Sequence, residues 1–519
     1  MLRFNLQMPP GTKRLYTICL YLALGSALWG YNIGILSSIL AHPGWKNALY
    51  SPSPAQKGVV TGIYYGGTLL SYLFVSHLLA DVLGRRYSSV IGTGVLAVGA
   101  LIMASAGGGS AVAVMAFGRF ISGLGVGVVS TGVPLYQSEI APAKDRGRFV
   151  TVNHAGFIGG LAMGLWAGYF ITFWSSAAGQ FWGWRVLILV QLLPAGVFAY
   201  SLPRLPESPR WLVEKGEAVA ARSVLAALRQ GSYDEDDISD ELQAIRSSIA
   251  SRPKSKYSPS IALSLSLFQD PALFARLWRG FLLQFMAQMC GATAMKYYLP
   301  TLLKALGLST QMALLVGALE VTVKISMTLV EMWLIDRFGR KVCLIGGSLV
   351  MAIAMLINGA LPLSFPNNSS HFADSVCIAF IFIYAMGYSI GLGPAAWVYC
   401  SEIFPTSVRA RGLNFAASGG SIGSIITSQI WPMGNARFGS GIYFFFMAVN
   451  LICVPIVWLQ YPETKGKALE EMDALFGQTM SHSPNVALSG GEGFDSRDAQ
   501  PRPEGEALRG DTEDDPLPL

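Results

Sequence analysis

The chain has 519 residues, of which 52% are hydrophobic and only 13% charged, with a formal net charge of +6. Soluble globular domains carry roughly 25% charged residues, so this composition excludes an ordinary water-soluble protein and points to one embedded in a lipid bilayer. The 57 glycines and 12 tryptophans agree, since membrane helices tolerate Gly and place Trp at the interfaces.

In chain order, residues 1–15 form a short basic N-terminus. Arg3, Lys13 and Arg14 precede a long apolar run that lacks a small-residue cleavage site before its end, so the run reads as a first membrane span and not as a signal peptide. A spanning helix needs about 20 predominantly apolar residues. Six such runs lie near 16–39, 57–79, 87–106, 112–136, 149–172 and 184–202. A polar, helical linker follows at 203–275. Six more runs lie near 276–303, 309–335, 341–362, 376–400, 411–432 and 440–460. The remaining residues, 461–519, form a tail that is rich in Gly, Pro and Ser beyond Gly477, ends "DTEDDPLPL" and is expected to be disordered. The expected fold class is therefore an all-α membrane protein of twelve transmembrane helices in two six-helix halves, 16–202 and 276–460.

Twelve spans put both termini on one side. The basic clusters fall after span 2 (Arg85, Arg86), span 4 (Lys144, Arg146, Arg148), span 8 (Arg337, Arg340, Lys341) and span 10 (Arg409, Arg411), all on that same side, which is cytoplasmic by the positive-inside rule. One loop on the opposite side carries "NNSS", Asn367 to Ser370, a glycosylation sequon in a permissible place.

The two halves repeat one another. "DVLGRR" at Asp81 recurs as "DRFGRK" at Asp336, 255 positions later. "SEIAPAKDRGR" at Ser138 recurs as "SEIFPTSVRARG" at Ser401, 263 later, and "PESPRW" at Pro206 as "PETKG" at Pro462, 256 later. Three signatures in one order at nearly one offset indicate a duplicated six-helix unit. Many secondary carriers are built this way, with the substrate site at the midplane between the repeats.

Several polar residues stand where lipid or apolar packing would be the default. In span 7, Gln284, Gln288, Gly291 and Tyr298 fall within about 80° of one helix face, a lining that suits a polyhydroxylated ligand because carboxamides both donate and accept; interhelical hydrogen bonding is the alternative. In span 10, "GLGP" with Pro394 breaks the helix ahead of Trp397. Lys324 lies within span 8, where a lysine costs about 2.5–3.5 kcal/mol on insertion scales. Glu320 and Glu331 fall within about 40° of it on the same face. Lys324 either forms a neutralised pair with Glu320 or, with Lys296, meets an anionic group of a substrate. The six scattered cysteines have no metal or redox spacing and read as small hydrophobes. There is no P-loop, zinc-type His/Glu spacing or nucleophile elbow, so neither an enzyme nor a cofactor is expected, and the modest charge does not suggest nucleic acid.

The motifs "GYNIG", "DVLGRR", "GRFISGLGVG", "PLYQSEIAPAKDRGR", "PESPRWL", "DRFGRK", "GLGPAAWVYCSEIFPTSVRARG" and "PETKG" run from Gly30 to Gly466. In them the chain resembles the sugar porter family of the major facilitator superfamily, particularly its fungal members. The resemblance implies alternating-access transport of a sugar or similar polyhydroxy compound across the bilayer, usually at the plasma membrane. It implies that Gln284, Gln288 and Trp397 bind the substrate, with Thr293 in place of a family Asn, Ala287 in place of a second Gln and His154 in place of a family Gln. Gly420 and Ser421 stand at positions of a polar residue and a Trp, and these departures favour a cargo unlike glucose, with a sugar acid or quinate-like hydroxy acid as the alternative.

A cytoplasmic gate is implied at Asp81, Arg85, Arg86, Glu139, Arg146, Glu207, Arg210, Asp336, Arg340, Glu402, Arg409 and Arg411; the plainer alternative is that these charges only set topology. His77 and Val82 depart from the family pattern, which predicts a looser clamp in the first half than in the second. Proton-coupled members carry Asp at the position of Asn32, opposite the arginine matched here by Arg119. An amide cannot ionise, so uniport is favoured over proton symport, the alternative being a proton carried by His154, Glu320 or Glu331. A non-transporting nutrient receptor is the reading from another class; against it, only roughly 40 residues follow Gly477.

Overall fold

The computed structural model describes residues 9–142, 146–250, 267–366, 369–405, 408–465 and 476. Lys144, the sequon residues Asn367 and Asn368, the linker's end at 251–266 and the tail beyond 477 lie outside them, as do the side chains of Arg146, Arg148 and Asp336. The described residues are helical almost throughout. Nine stretches among them are long and apolar enough to cross a membrane. Two of these, Pro54–Ala104 and Arg411–Gln460, each hold two spans joined at a turn. The first turns at Gly84 (φ 87°) and the second at Gly439 (φ 54°), a left-handed backbone open to glycine at little cost. Span 7 is the broken pair Pro271–Met289 and Ala292–Ala305. With it the described residues hold the expected twelve spans: Pro10–Ala41 is span 1, Ala111–Ile140 span 4, Arg146–Ile171 span 5, Thr310–Phe338 span 8 and Arg340–Ser364 span 9.

The surface is that of a protein solvated by lipid. Leu20, Leu193 and Leu459 are 70–79% exposed, whereas Asn32, Arg119 and Gln284 are buried at 0–1%. Polar groups therefore concentrate inside, where backbone and side chains must find partners in the absence of water. Helices approach closely through glycine. A Cβ on Gly30 of span 1 would lie 1.9 Å from the carbonyl oxygen of Phe157, and one on Gly160 of span 5 would lie 2.0 Å from that of Ala27. Spans 1 and 5 are thus in backbone contact, which gives dispersion and weak Cα–H contacts that bulkier residues would forfeit.

The halves meet through span 1 with span 7, span 2 with span 11, and span 5 with span 8. Three linker helices, Pro209–Glu214, Ala218–Arg229 and Glu235–Ala250, pack around Leu212, Leu225, Ile238 and Leu242. Arg229 ties them to the membrane part: it pairs with Glu241 at 2.7 Å and donates to the Ile140 carbonyl at the end of span 4. Replacing Gly30 by Val should force spans 1 and 5 apart. The expected result is loss of most monodisperse protein in size-exclusion chromatography, while Gly159→Val, where a Cβ meets nothing within 4 Å, leaves the elution profile intact.

Candidate substrate cavity and charged end

A cavity of about 60 Å³ lies between the halves. The first half contributes Trp29, Ile33, Tyr65, Thr68, Tyr72 and Phe157 to its wall, and the second Gln284, Gln288, Lys296, Trp397, Ser421 and Ser424, among others. Three breaks in helical geometry shape it. Span 2 passes through a π-helical turn at Ser71–Val75, which places Tyr72 with its hydroxyl 3.0 Å from that of Ser130. Such turns often mark functional sites. Span 7 stops at Met289 and restarts at Ala292, with Gly291 left-handed at φ 105°. The carbonyl freed at Cys290 accepts from Asn450 Nδ2 at 2.9 Å and from Tyr384 Oη at 3.2 Å. Span 10 is interrupted by Gly391 to Gly393, and Pro394 begins its second piece five residues ahead of buried Tyr399.

Of the residues expected at the substrate, Gln284, Gln288 and Trp397 line the cavity. Thr293 stands one layer behind, its hydroxyl donating to Gln288 Oε1 and lying within hydrogen-bond distance of Ser424 Oγ, both at 3.0 Å. Tyr298 closes the end remote from the charged loops: its hydroxyl is 3.2 Å from Thr61 Oγ1 and from the Ser428 carbonyl. His154 is not on the cavity wall; its ring leans on Phe157, which is. Lys324 lies beside a smaller neighbouring cavity together with Glu320, and the two form an ion pair of 2.6 Å. Asn32 is buried outside the wall, where Arg119 Nη1 donates to its Oδ1 at 2.7 Å and its own Nδ2 donates to Gln191 Oε1 at 3.0 Å. The Arg119 guanidinium also lies 4.2 Å from the centroid of the Tyr64 ring and 3.4 Å from Tyr297 Oη. No carboxylate pairs with it among the described residues. Gln191, Tyr64 and the first-half aromatics of the wall carry no sequence motif, and only their helical neighbours could have suggested them.

At the charged end the pairs run between motifs. Arg85 forms a bidentate bridge with Glu139, with both N–H···O distances 2.8 Å, and its contact with Asp81 in its own motif is longer, 4.0 Å. Arg86 pairs with Glu207 at 3.2 Å. In the second half Arg340 reaches Glu402 at 2.8 Å. The two halves share a further device. At each glycine turn the next two backbone N–H groups donate to one carboxylate: Arg85 and Arg86 to Glu207, and Arg340 and Lys341 to Glu463. A carboxylate is favoured there because it meets the positive end of the following helix. A Cβ on Gly84 or Gly339 would sit 2.6 Å from that carboxylate, so the glycine is required on two grounds.

The first-half clamp is the tighter one, contrary to expectation. Arg85 and Glu139 side chains are 5% and 6% exposed, against 12% and 26% for Arg340 and Glu402. Glu139 gives both oxygens to Arg85, whereas Glu402 uses one for Thr464. Val82 points outward, 63% exposed, so its departure from the family pattern costs the clamp nothing. Arg411 pairs with Asp81 at 3.1 Å, which joins the halves at this end.

Two six-helix halves enclosing a polar cavity between them, with paired charges at one end, define a membrane transporter of the major facilitator type. Residues 18–476 match the model of the sugar (and other) transporter family. Similar proteins include a quinate permease of Neurospora terricola, 31% identical over 93% of this chain and 92% of that one, and a probable polyol transporter of Arabidopsis thaliana, 28% identical over 91% of this chain and 96% of that one. The fold matches the proton:xylose symporter XylE bound to 6-bromo-6-deoxy-D-glucose with a TM-score of 0.74 and 25% identity, covering 90% of this chain and all of that one. The chain belongs to the sugar porter family.

Removing one partner of a buried ion pair strands the other, at a cost of about 3–5 kcal/mol. Glu139→Gln should therefore lower the melting temperature of the purified protein markedly. Glu402→Gln, at the more exposed pair, should lower it less, as read by differential scanning fluorimetry.

Proposed function

We propose that this protein carries a polyhydroxylated small molecule across the membrane by alternating access, as a uniporter. The substrate reading is carried by the cavity wall: two carboxamides and several hydroxyls facing one space, with Trp397 to cover a ring face. Carboxamides and hydroxyls match sugar-like hydroxyl groups in either hydrogen-bonding sense. The relatives' names agree in kind, since quinate, polyols and xylose all present several hydroxyls.

The uniport reading is carried by Asn32. Arg119 faces an amide in the place where a proton-driven relative is expected to hold a carboxylate. A carboxylate beside a guanidinium can exchange its proton for that pairing; an amide bound at 2.7 Å stays neutral in every state. The neighbour XylE is a proton symporter by name, and this position is where the present chain would part from it.

In the working cycle, both termini and the linker are cytoplasmic and the address is the plasma membrane. The charged end is the cytoplasmic gate, with Arg411–Asp81 the pair that must break as the halves separate there. Tyr298 with Thr61 and Ser428, and Thr68 with Ser421 at 2.9 Å, must part when the opposite side opens. Such rigid-body rocking of one half against the other is the common mode for repeats of this kind.

Proteoliposome uptake tests both readings. Wild-type exchange of a labelled substrate should be indifferent to a collapsed proton gradient, and uphill accumulation driven by protons would overturn uniport. Asn32→Asp should make uptake respond to pH by about threefold or more between acidic and neutral buffer. Gln288→Leu should weaken substrate half-saturation by about tenfold, the effect of losing one well-placed polar contact in a buried site.

A further inference from the structure

The central cavity holds a cation that its own walls do not neutralise. Lys296 lies in the second turn of the half-helix Ala292–Ala305 and lines both the central cavity and the smaller one beside it. Among the described residues no Asp or Glu lines the central cavity. The carboxylate on the smaller one, Glu320, is engaged at 2.6 Å with Lys324. Among the described residues no carboxylate forms an ion pair with Lys296. Its ammonium instead lies 5.3 Å from the centroid of the Tyr388 ring. A ring face offers partial compensation and no counter-charge. The group of Lys296, Lys324 and Glu320 thus carries one excess positive charge inside the membrane, where an unpaired charge is expensive and marks a functional site.

The surrounding geometry adds to it. The half-helix begins beside the cavity, since Thr293 in its first turn bonds to Gln288 and Ser424 of the wall. Broken helices in carriers present this positive end to anionic groups of the cargo.

We infer that the cargo is a hydroxylated monocarboxylate whose carboxylate binds Lys296 while its hydroxyls meet Gln284, Gln288, Ser421 and Ser424. This rests on the reading of the cavity as the substrate site and narrows it to the anionic class. It also moves the charge-recognising role from Lys324, which Glu320 already neutralises, to Lys296. One excess charge matches one carboxylate, and a neutral sugar would leave the ammonium uncompensated in a water-poor site.

Matched probes test it on the wild-type protein in proteoliposomes: quinate against methyl quinate, and D-glucuronate against D-glucose. In at least one pair the acid should show half-saturation about tenfold or more below its neutral partner. Lys296→Gln should abolish that preference, raising half-saturation for the acid about tenfold more than for its neutral partner, and Lys296→Arg should restore it. Neutral partners handled as well as or better than the acids would overturn the inference and leave the polyhydroxy-carrier reading standing. Equal loss for acid and neutral probes in Lys296→Gln, together with a lower melting temperature, would also overturn it, assigning Lys296 to packing on Tyr388. Transport of none of the four would sink the underlying polyhydroxy reading as well.

Discussion

The absence of water from the bilayer core constrains everything else in this structure. An unpaired backbone N–H or C=O costs several kcal/mol there, so the chain is helical wherever it meets lipid. Helices are interrupted within the spans only where protein groups take over the freed backbone. At Cys290 the carbonyl is recovered by Asn450 and Tyr384. At the break in span 10 the Gly393 N–H donates to the Tyr388 carbonyl at 2.9 Å. Thr427 does the same for the Gln288 carbonyl at 3.2 Å. These breaks border the cavity because the cavity is where irregular backbone is affordable and useful: it exposes side chains at angles that a continuous helix cannot offer.

The same constraint governs charge. Each half ends in a carboxylate seated on two backbone N–H groups beyond a left-handed glycine, next to an Arg–Glu bridge between helix ends. Duplication preserved the device, and divergence shows in its details: Glu402 shares itself with Thr464, while Glu139 does not. Deeper in the membrane the charges are handled differently. Arg119 rests on an amide and two tyrosine rings, Lys324 on Glu320, and Lys296 on a ring alone. Glu331 is 1% exposed, and its carboxylate has no hydrogen-bond partner among the described residues. The further a group lies from a complete ion pair, the more its energy depends on what enters or moves beside it.

Much of this was legible in the sequence. Hydropathy placed twelve spans, the repeat of "DVLGRR" and "DRFGRK" announced the two halves, and the motifs identified the family. Gln284 and Gln288 were readable as cavity residues because a helical face of polar groups in a lipid-soluble chain needs an inside to point to, and Trp397 was readable from the family resemblance. Asn32 and Arg119 were readable as neighbours from the family resemblance. The wall contributed by Trp29, Tyr65, Thr68, Tyr72 and Phe157 was not, since aromatic and hydroxyl side chains are equally at home in packing. The pairing at the charged end was also hidden: an arginine four residues after a carboxylate gives no sign that its main bridge will run to another, 54 positions away, as Arg85 does to Glu139.

By itself, then, the amino-acid order determined that this protein crosses a membrane in two similar halves, which end holds the charge and which polar residues face inward. These follow from hydropathy and periodicity, properties local to each segment. Only the tertiary structure decided which charges neutralise one another. It joined Lys324 to Glu320 and left Lys296 facing the central cavity without a carboxylate, although both lysines sit on apolar spans with comparable patterns. The reason is geometric: an ion pair depends on a few ångströms between side chains, and in a broken-helix bundle that distance is set by how segments far apart in the chain are brought together.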